Sequence, residues 1–164
     1  MKQAQPWIGL LSRLALGGVL LYAGYLKAFT PDKSMMAVRA YELLPIWLAN
    51  AFGLVLPWLE IGAGLLLIIG ISVRYAAIFG SALMIAFIFA VSQAWARGLS
   101  IDCGCFGDGG AVDPSETKYL ETILRDTGLA LLGFYLIRYP VTKFALESKK
   151  TLDQKPSHAL VPGE

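Results

Sequence analysis

Residues 51–71, AFGLVLPWLEIGAGLLLIIGI, form an apolar run with a single charged side chain, Glu60. Roughly 20 apolar residues are enough to cross the hydrocarbon of a bilayer as an α-helix. Three other runs approach this length, which gives predicted spans at about 7–26, 51–71, 74–96 and 120–139. The connections between them are too short for a second globular domain. The sequence therefore predicts an all-α fold, a four-transmembrane-helix bundle over residues 1–146.

The composition supports a membrane protein. Hydrophobic residues make up 56% of the 164 residues and charged residues 16%, and the mean hydropathy is +0.59. These values are too apolar for a soluble domain with a polar surface. The sequence contains no phosphate loop, nucleotide fingerprint or basic patch, so we expect a lipid bilayer as surroundings and no nucleic acid as partner. The polar, proline-punctuated segment 147–164 is predicted to be a disordered tail.

The distribution of Lys and Arg predicts the orientation in the membrane. With four spans both termini lie on one side, and that side carries most of the isolated cations, in the second connection and in the tail. The positive-inside rule then predicts cytoplasmic termini in a bacterial inner membrane. Residues 7–26 lack the basic start and cleavage site of a signal peptide, and we expect an uncleaved anchor. The connection 97–118 is consequently predicted on the exported face.

That connection holds both cysteines of the chain, in Asp102-Cys103-Gly104-Cys105-Phe106-Gly107. The glycine between Cys103 and Cys105 gives the backbone the freedom to close a small disulfide ring. The exported face is also the compartment in which disulfides form and persist. We expect these two cysteines to be the catalytic residues, in thiol–disulfide exchange.

Two other interpretations of the pair remain open at this stage. A metal site needs about four protein ligands, and no histidine accompanies the two cysteines on this face, so we predict no metal. The only histidine, His158, lies in the tail, which also argues against cysteine–histidine catalysis. A fixed structural disulfide closed across one residue would stabilise the fold weakly. A strained ring would instead have a raised reduction potential, which suits redox cycling.

We call the connection 97–118 the cysteine loop. Four charged side chains are expected to meet at a similar membrane depth beneath it: Lys27, Glu60, Arg125 and Asp126. Charges inside a bilayer are expensive unless they are paired. We predict a Glu60–Arg125 ion pair that joins the second and fourth spans. The alternative is a proton-linked or quinone-binding site coupled to the dithiol.

Two sequence signals predict helix starts outside the spans. Thr30-Pro31-Asp32 resembles a helix N-terminus, with Thr30 as the capping residue, and predicts a short interfacial helix ending before Pro45. Asp113-Pro114-Ser115-Glu116 resembles a capping box and predicts that the fourth helix begins there. The glycine-rich connection between the third and fourth spans is expected to contribute nothing to a core.

Beyond these separate features, the order of short motifs resembles the methylamine utilisation protein MauE group of the DoxX-like membrane proteins. The motifs are Ala23-Gly24-Tyr25-Leu26-Lys27, Tyr41-Glu42-Leu43-Leu44-Pro45, Leu56-Pro57-Trp58-Leu59-Glu60-Ile61-Gly62, Arg97-Gly98, the Cys-Gly-Cys-Phe-Gly element and Arg125-Asp126.

The resemblance implies a four-helix inner-membrane protein that supports maturation of methylamine dehydrogenase, whose small subunit is rich in disulfides. It implies a thioredoxin-like exported partner of the MauD or TlpA type and an exported client with disulfides. Other DoxX-like proteins suggest, by looser analogy, a quinone-linked oxidoreductase subunit. The leading hypothesis is a thiol–disulfide relay or maturation factor. The rival is a noncatalytic membrane scaffold with a structural disulfide.

Overall fold

The computed structural model describes residues 5–104, 109–140 and 142. In this part of the chain the elements are α1 (Gln5–Ala28), α2 (Pro31–Ala40), α3 (Ile46–Ile69), α4 (Val73–Ala96), β1 (Ile101–Asp102), β2 (Gly110–Ala111), a 3-10 turn (Pro114–Glu116) and α5 (Tyr119–Arg138). Cys105 and the tail 147–164 lie outside the described residues.

The four long helices pack as two close pairs. α1 packs mainly against α3, and α4 mainly against α5, while contacts of α1 with α5 and of α3 with α4 join the pairs. α3 and α5 therefore lie diagonally across the bundle. The core between the helices is aliphatic, with the side chains of Leu16, Leu67 and Leu136 fully buried.

Glycines allow α1 and α3 to approach closely. A Cβ atom on Gly64 would lie 2.8 Å from the carbonyl oxygen of Gly17, and one on Gly24 would lie 2.7 Å from that of Pro57. Such distances leave no room for a side chain, so the two backbones are in contact over two helical turns. Small residues that permit this approach are typical of helix pairs in membranes.

Three helices of the described part are long and apolar enough to cross a membrane, namely α1, α3 and α4. They mark a membrane protein and agree with three of the four predicted spans. α5 is not among them because it carries Glu121, Arg125, Asp126 and Arg138 in 20 residues. It is nevertheless the fourth long helix of the bundle, and its membrane crossing stays a prediction.

The short helix α2 begins at Pro31, as the sequence predicts, and ends at Ala40. The expected capping bond is absent in this structure, because the Thr30 hydroxyl donates instead to the carbonyl oxygen of Leu26, one turn back in α1, at 2.9 Å. Thr commonly bonds backward in this way. A buried bond of 2.6 Å from Ser34 Oγ to the Gly53 carbonyl fastens α2 to α3.

The connection between α4 and α5 corrects two predictions. It contains an antiparallel strand pair, with Ile101 opposite Ala111 and Asp102 opposite Gly110, so the fold is not purely α-helical. Asp113 precedes only a 3-10 turn, and its side chain accepts no capping hydrogen bond. Thr117 is extended and separates this turn from α5, whose first residue is Tyr119.

The same connection also helps to build a second, smaller core. Ile101 and Tyr119 are buried with Tyr41, Val91 and Ala94 at the end of the bundle. The prediction that this glycine-rich segment contributes to no core is therefore wrong, because one isoleucine and the tyrosine after the turn are enough to seat it on α4. This core fixes the position of the backbone that leads into Cys103.

Candidate functional site

Cys103 directly follows β1 and is held by two hydrogen bonds. The hydroxyl of Tyr41, at the end of α2, donates to the Cys103 carbonyl oxygen at 2.8 Å. The Cys103 sulfur lies 2.9 Å from the hydroxyl oxygen of Thr122, in the first turn of α5. The side chain is half-buried and packs against the second core. Cys103 is thus fixed by two different helical elements.

The backbone around Cys103 is shaped by the residues beside it. The Asp102 carboxylate accepts the amide hydrogen of Gly104 at 2.9 Å. Gly104 has φ of +64°, a left-handed conformation that favours glycine. Gly104 therefore uses the conformational freedom that the sequence analysis ascribes to it.

Tyr119 is the second anchor of the loop. Its hydroxyl accepts the amide hydrogen of Ile101 at 2.9 Å and donates to the carbonyl oxygen of Leu99. One phenol oxygen thus satisfies two backbone groups at the start of β1. Tyr119 was not predicted as a functional residue from the sequence. The signal that could have indicated it is an aromatic side chain at the junction of a loop and a helix.

Tyr41 also connects the loop to the end of α4. Its carbonyl oxygen accepts hydrogen bonds from Gln93 at 3.1 Å and from Arg97 at 3.2 Å. Arg97 forms in addition an exposed ion pair with Glu42 at 2.8 Å. Glu42 has φ of +50°, so the chain turns sharply here. The end of α2, the end of α4 and the cysteine loop form one hydrogen-bonded unit.

A buried ion pair lies deeper in the bundle. Lys27 Nζ is 2.7 Å from Glu60 Oε1, and the two side chains are 5% and 1% exposed. Lys27 comes from the end of α1 and Glu60 from the middle of α3. The Lys27 ammonium also lies 5.2 Å from the ring centre of Phe87. The pair joins the two helices that the glycines bring into contact.

The predicted Glu60–Arg125 pair is not the arrangement found. Glu60 is bound by Lys27, and Arg125 instead contacts its neighbour Asp126 at 2.9 Å. The physical reason is the packing, because Glu60 on α3 faces α1 directly, whereas α5 lies diagonally opposite. Arg125 is only partly buried, while the Asp126 side chain is 3% exposed.

All four predicted charged residues nevertheless line one small cavity. Lys27, Glu60, Arg125 and Asp126 surround it together with apolar side chains of α1 and α4. The volume in which the centre of a water molecule can lie is about 20 Å³. The cavity therefore has room for about one water. Glu60 Oε2 and Asp126 Oδ2 have no hydrogen-bond partner within the described part of the chain. A buried carboxylate oxygen needs a donor, and one water in the cavity would supply it.

Thr122, which contacts Cys103, lies on the same face of α5 as the buried Asp126. Thr122 and Asp126 are four residues apart on α5, and both are buried, with 4% and 2% exposure. Residues at this spacing lie on the same helix face, and each helical side chain leans toward the turn before it. The Asp126 side chain thus leans toward Thr122. Neither the Cys103–Thr122 contact nor the role of Thr122 was predicted from the sequence.

A further buried charge, Arg13, was missed by the sequence analysis. Its guanidinium is 2% exposed and donates to Thr142 Oγ1 at 3.0 Å, while its Nε has no partner among the described residues. The signal was available, because Arg13 interrupts the apolar run 7–26. Positions 13, 20 and 27 also share heptad spacing, so Arg13 and Lys27 belong to the face of Leu20.

Comparisons with known proteins place the chain in a family. The family model described as methylamine utilisation protein MauE matches residues 5–139. A methylamine utilization protein MauE of Methylorubrum extorquens is 36% identical over 136 residues, which cover 81% of this chain and 70% of the relative. Its counterpart in Methylophilus methylotrophus is 30% identical over 151 residues, which cover 89% and 77%.

No solved structure matches the chain significantly. The family match spans all five helices and the cysteine loop, including Cys103 and the buried charges. Sequence and family comparison thus agree with the resemblance drawn from the motifs. The chain belongs to the methylamine utilisation protein MauE family.

Proposed function

We propose that this protein is an inner-membrane accessory factor of methylamine utilisation that exchanges disulfides with exported proteins through Cys103 and Cys105. The names of its relatives support the accessory role. The observation that carries the redox role is the 2.9 Å contact between the Cys103 sulfur and the Thr122 hydroxyl. A hydroxyl beside a sulfur can donate to a thiolate, which is the reactive form in exchange.

The anchoring of the loop supports the same role. Tyr41 and Tyr119 hold the backbone on both sides of β1, so the position of Cys103 is set before a partner arrives. A site held on rigid elements loses little conformational entropy when it reacts. We infer that the loop presents Cys103 at a fixed place at the end of the bundle.

The proposed partners are exported proteins. A thioredoxin-like protein of the MauD or TlpA type would exchange electrons with the dithiol, and an exported client with disulfides would receive them or give them up. This proposal needs four membrane crossings, cytoplasmic termini and a cysteine loop on the exported face. The distribution of Lys and Arg in the sequence supports that orientation.

In this proposal the charged cluster of Lys27, Glu60, Arg125 and Asp126 holds the helices together, and proton transfer is its second proposed role. Lys27 and Glu60 hold α1 against α3, and Asp126 is buried on the same face of α5 as Thr122. A quinone does not fit the cavity between them, since the space holds about one water molecule. We therefore assign no reaction step to a quinone.

One observation favours the rival function, a noncatalytic membrane scaffold with a fixed disulfide. Both the carbonyl oxygen and the sulfur of Cys103 are hydrogen-bonded to side chains of the bundle, as expected for a structural disulfide that holds a loop in place. The scaffold and the thiol–disulfide relay predict different redox states of the client proteins when the cysteines are removed.

The deciding experiment uses the double variant Cys103→Ser/Cys105→Ser, with Ser115→Ala as a matched control in the same connection. Ser115 is exposed. Each form is produced in a methylamine-growing host that lacks its own MauE protein. The redox state of the methylamine dehydrogenase small subunit is then trapped by acid and read by a thiol reagent that adds mass.

With the double variant we expect the client cysteines to remain reduced at normal abundance of the membrane protein. With Ser115→Ala we expect wild-type oxidation. Normal client oxidation by an abundant double variant rejects the relay and leaves the scaffold. A membrane-impermeant thiol reagent tests the side of the membrane, since labelling only after permeabilisation contradicts the proposed orientation.

A further inference from the structure

The cavity between α1, α3, α4 and α5 is lined by two carboxylates that each keep one oxygen without a donor. Glu60 Oε2 on α3 and Asp126 Oδ2 on α5 are buried and have no hydrogen-bond partner within the described part of the chain. A buried oxygen without a donor costs free energy until it receives a hydrogen. The two oxygens therefore mark a site for a ligand that supplies hydrogen atoms.

The size of the cavity limits what this ligand is. The cavity has room for about one water molecule. A metal ion such as Mg²⁺ or Ca²⁺ takes about six or more oxygen ligands. No group of three metal-binding side chains exists among the described residues. Water and a proton are consequently the ligands that fit.

One water serves the two carboxylates in two states of protonation. When both are ionised, the two hydrogens of the water are donated to Glu60 Oε2 and to Asp126 Oδ2. When Asp126 carries a proton, its hydroxyl donates to the oxygen of the water, and the water donates to Glu60. Every one of these oxygens has a partner in either state. The site can thus gain or lose one proton without leaving a buried oxygen unpaired.

The two carboxylates differ in how well their charge is compensated. Glu60 Oε1 lies 2.7 Å from Lys27 Nζ, and both of these side chains are almost fully buried. Arg125, which contacts Asp126 at 2.9 Å, is 30% exposed, so solvent screens part of its charge. A buried charge is stable only when it is well paired. The proton is therefore expected on Asp126 rather than on Glu60.

We propose that Asp126 is a proton-binding residue, whose carboxylate takes up one proton through a water molecule that bridges it to Glu60. A hydronium ion delivers the proton, an O–H bond forms on Asp126, and a neutral water stays behind. No electron moves, and the charge of the cluster rises by one unit. The inference rests on the proton-transfer role proposed for the charged cluster, and it names the acceptor and the carrier. It is independent of thiol–disulfide exchange.

The charged groups that face Asp126 come from three of the helices around the cavity. α1 contributes Lys27, α3 contributes Glu60, and Arg125 precedes Asp126 on α5, while α4 contributes only apolar side chains to the cavity. Among these four charged residues Arg125 has the largest exposed fraction. The proton therefore enters from the side of Arg125.

The first test is infrared spectroscopy of the protein in nanodiscs, in H₂O and in D₂O. The C=O stretch of a protonated carboxyl group is separated from the bands of ionised carboxylates, and it shifts in D₂O. We expect this band at about pH 7, where exposed carboxyl groups are ionised. It should vanish in Asp126→Asn and persist in Asp32→Asn, the matched control, because Asp32 is exposed on α2. A wild-type spectrum without the band, or an unchanged band in Asp126→Asn, would overturn the proposal.

An isotope label decides the assignment even if Asp126→Asn does not fold. Wild-type protein is produced with carbon-13 at the side-chain carboxyl of aspartate, which lowers the frequency of aspartic acid bands and leaves those of glutamic acid in place. We expect the band to shift. A band that stays in place belongs to a glutamate, and this result contradicts the assignment to Asp126.

The second test compares the pH dependence of unfolding in wild type and Asp126→Asn, in mixed micelles between about pH 5 and 8. The folded state holds a proton that the unfolded state has released, so stability is lost as the pH rises. One such proton increases the unfolding equilibrium constant about tenfold per pH unit. We expect the wild-type constant to rise more steeply than that of Asp126→Asn by up to this factor. Parallel curves would refute proton binding, because a purely structural residue changes the constant equally at every pH.

These measurements fail separately from the proposed function. The thiol–disulfide relay is rejected by normal client oxidation in Cys103→Ser/Cys105→Ser, whatever the infrared spectrum shows. Proton binding at Asp126 is rejected by the missing band or by parallel unfolding curves, even where client oxidation depends on both cysteines.

Discussion

Removal of one partner from the Lys27–Glu60 ion pair should destabilise the bundle strongly. The two side chains are 5% and 1% exposed, and their atoms are 2.7 Å apart. In Lys27→Met the Glu60 carboxylate would lose the hydrogen bond that Lys27 Nζ donates to its Oε1. Within the described residues no other group donates to this carboxylate, and its Oε2 already has no hydrogen-bond partner. The remaining charge would be buried without compensation.

The size of the effect follows from this burial. Breaking a buried pair by removal of one partner costs about 3–5 kcal/mol of unfolding free energy. We expect Lys27→Met and Glu60→Gln each to fall in or near this range. The double variant Lys27→Met/Glu60→Gln leaves no buried charge at this pair, so we expect it to recover at least about 2 kcal/mol relative to the sum of the single changes.

The assay is reversible unfolding of the purified protein in mixed micelles, followed by tryptophan fluorescence, for all four corners of the double-mutant cycle. Glu42→Gln is the matched control, because Glu42 belongs to an ion pair of similar length whose side chains are 43% and 61% exposed. We expect its cost to stay below about 1 kcal/mol. Additive single changes, or single changes as mild as Glu42→Gln, would refute the reasoning.

Two more predictions concern the packing of the helices and the anchoring of the loop. Gly64→Ala should cost about 1–3 kcal/mol of unfolding free energy, because its Cβ would lie 2.8 Å from the Gly17 carbonyl oxygen. Gly62→Ala, which meets nothing within 4 Å, should be neutral or stabilising, and equal costs would contradict the close approach of α1 and α3. Tyr119→Phe should leave the buried Ile101 amide without its acceptor, at a cost of about 1–3 kcal/mol. Amide exchange should then speed up at Ile101 more than in α4, and uniform exchange would contradict the anchor.

The long elements could be predicted from the sequence because hydrophobic runs determine them. Three of the predicted spans coincide with α1, α3 and α4 within a few residues at most ends. α3 begins five residues before the predicted second span, at Ile46, directly after its N-cap residue Pro45. The sequence carried the signal for this earlier start, because residues 46–49 are apolar and follow Pro45.

The charge pairing could not be predicted, although the charged residues could. Glu60 was recognised from its apolar surroundings, but its partner depends on which helices are neighbours. The glycines that bring α1 against α3 are visible in the sequence, at positions 17, 24 and 64. Read together with the heptad positions 53, 60 and 67 of α3, they would have indicated Lys27 rather than Arg125 as the partner of Glu60.

Hydrogen bonds of the cysteine loop were also beyond the sequence. Tyr41 follows α2, whereas Tyr119 and Thr122 belong to α5, and these two segments meet the loop only in the folded bundle. The sequence showed where the cysteines lie, and it did not show what holds them. Cys105 itself lies outside the described residues, so its role remains the proposal made above.

The buried face of α5 connects the prediction of its membrane crossing with the proposed site. The buried residues follow heptad spacing along one face: Tyr119, Thr122, Asp126, Leu129, Ala130, Gly133 and Leu136. The first three are polar or hold the loop, and the last four are apolar or small and lie in the main core. The polar residues that exclude α5 from the candidate spans thus lie mainly in the half of the helix that adjoins the cysteine loop.

Ionisable residues within membrane helices are costly, and they persist where they serve a function. The low hydropathy of α5 is therefore expected if this helix both crosses the membrane and carries the groups beneath the dithiol. If α5 instead lay outside the membrane, its apolar half would still pack into a bundle of membrane-spanning helices. The outward-facing side chains of that half would then have no lipid to contact. Its exposed Leu120, Leu124, Leu131 and Phe134 support the crossing, because such a stripe of apolar side chains on one helix face is stable only against lipid or another protein.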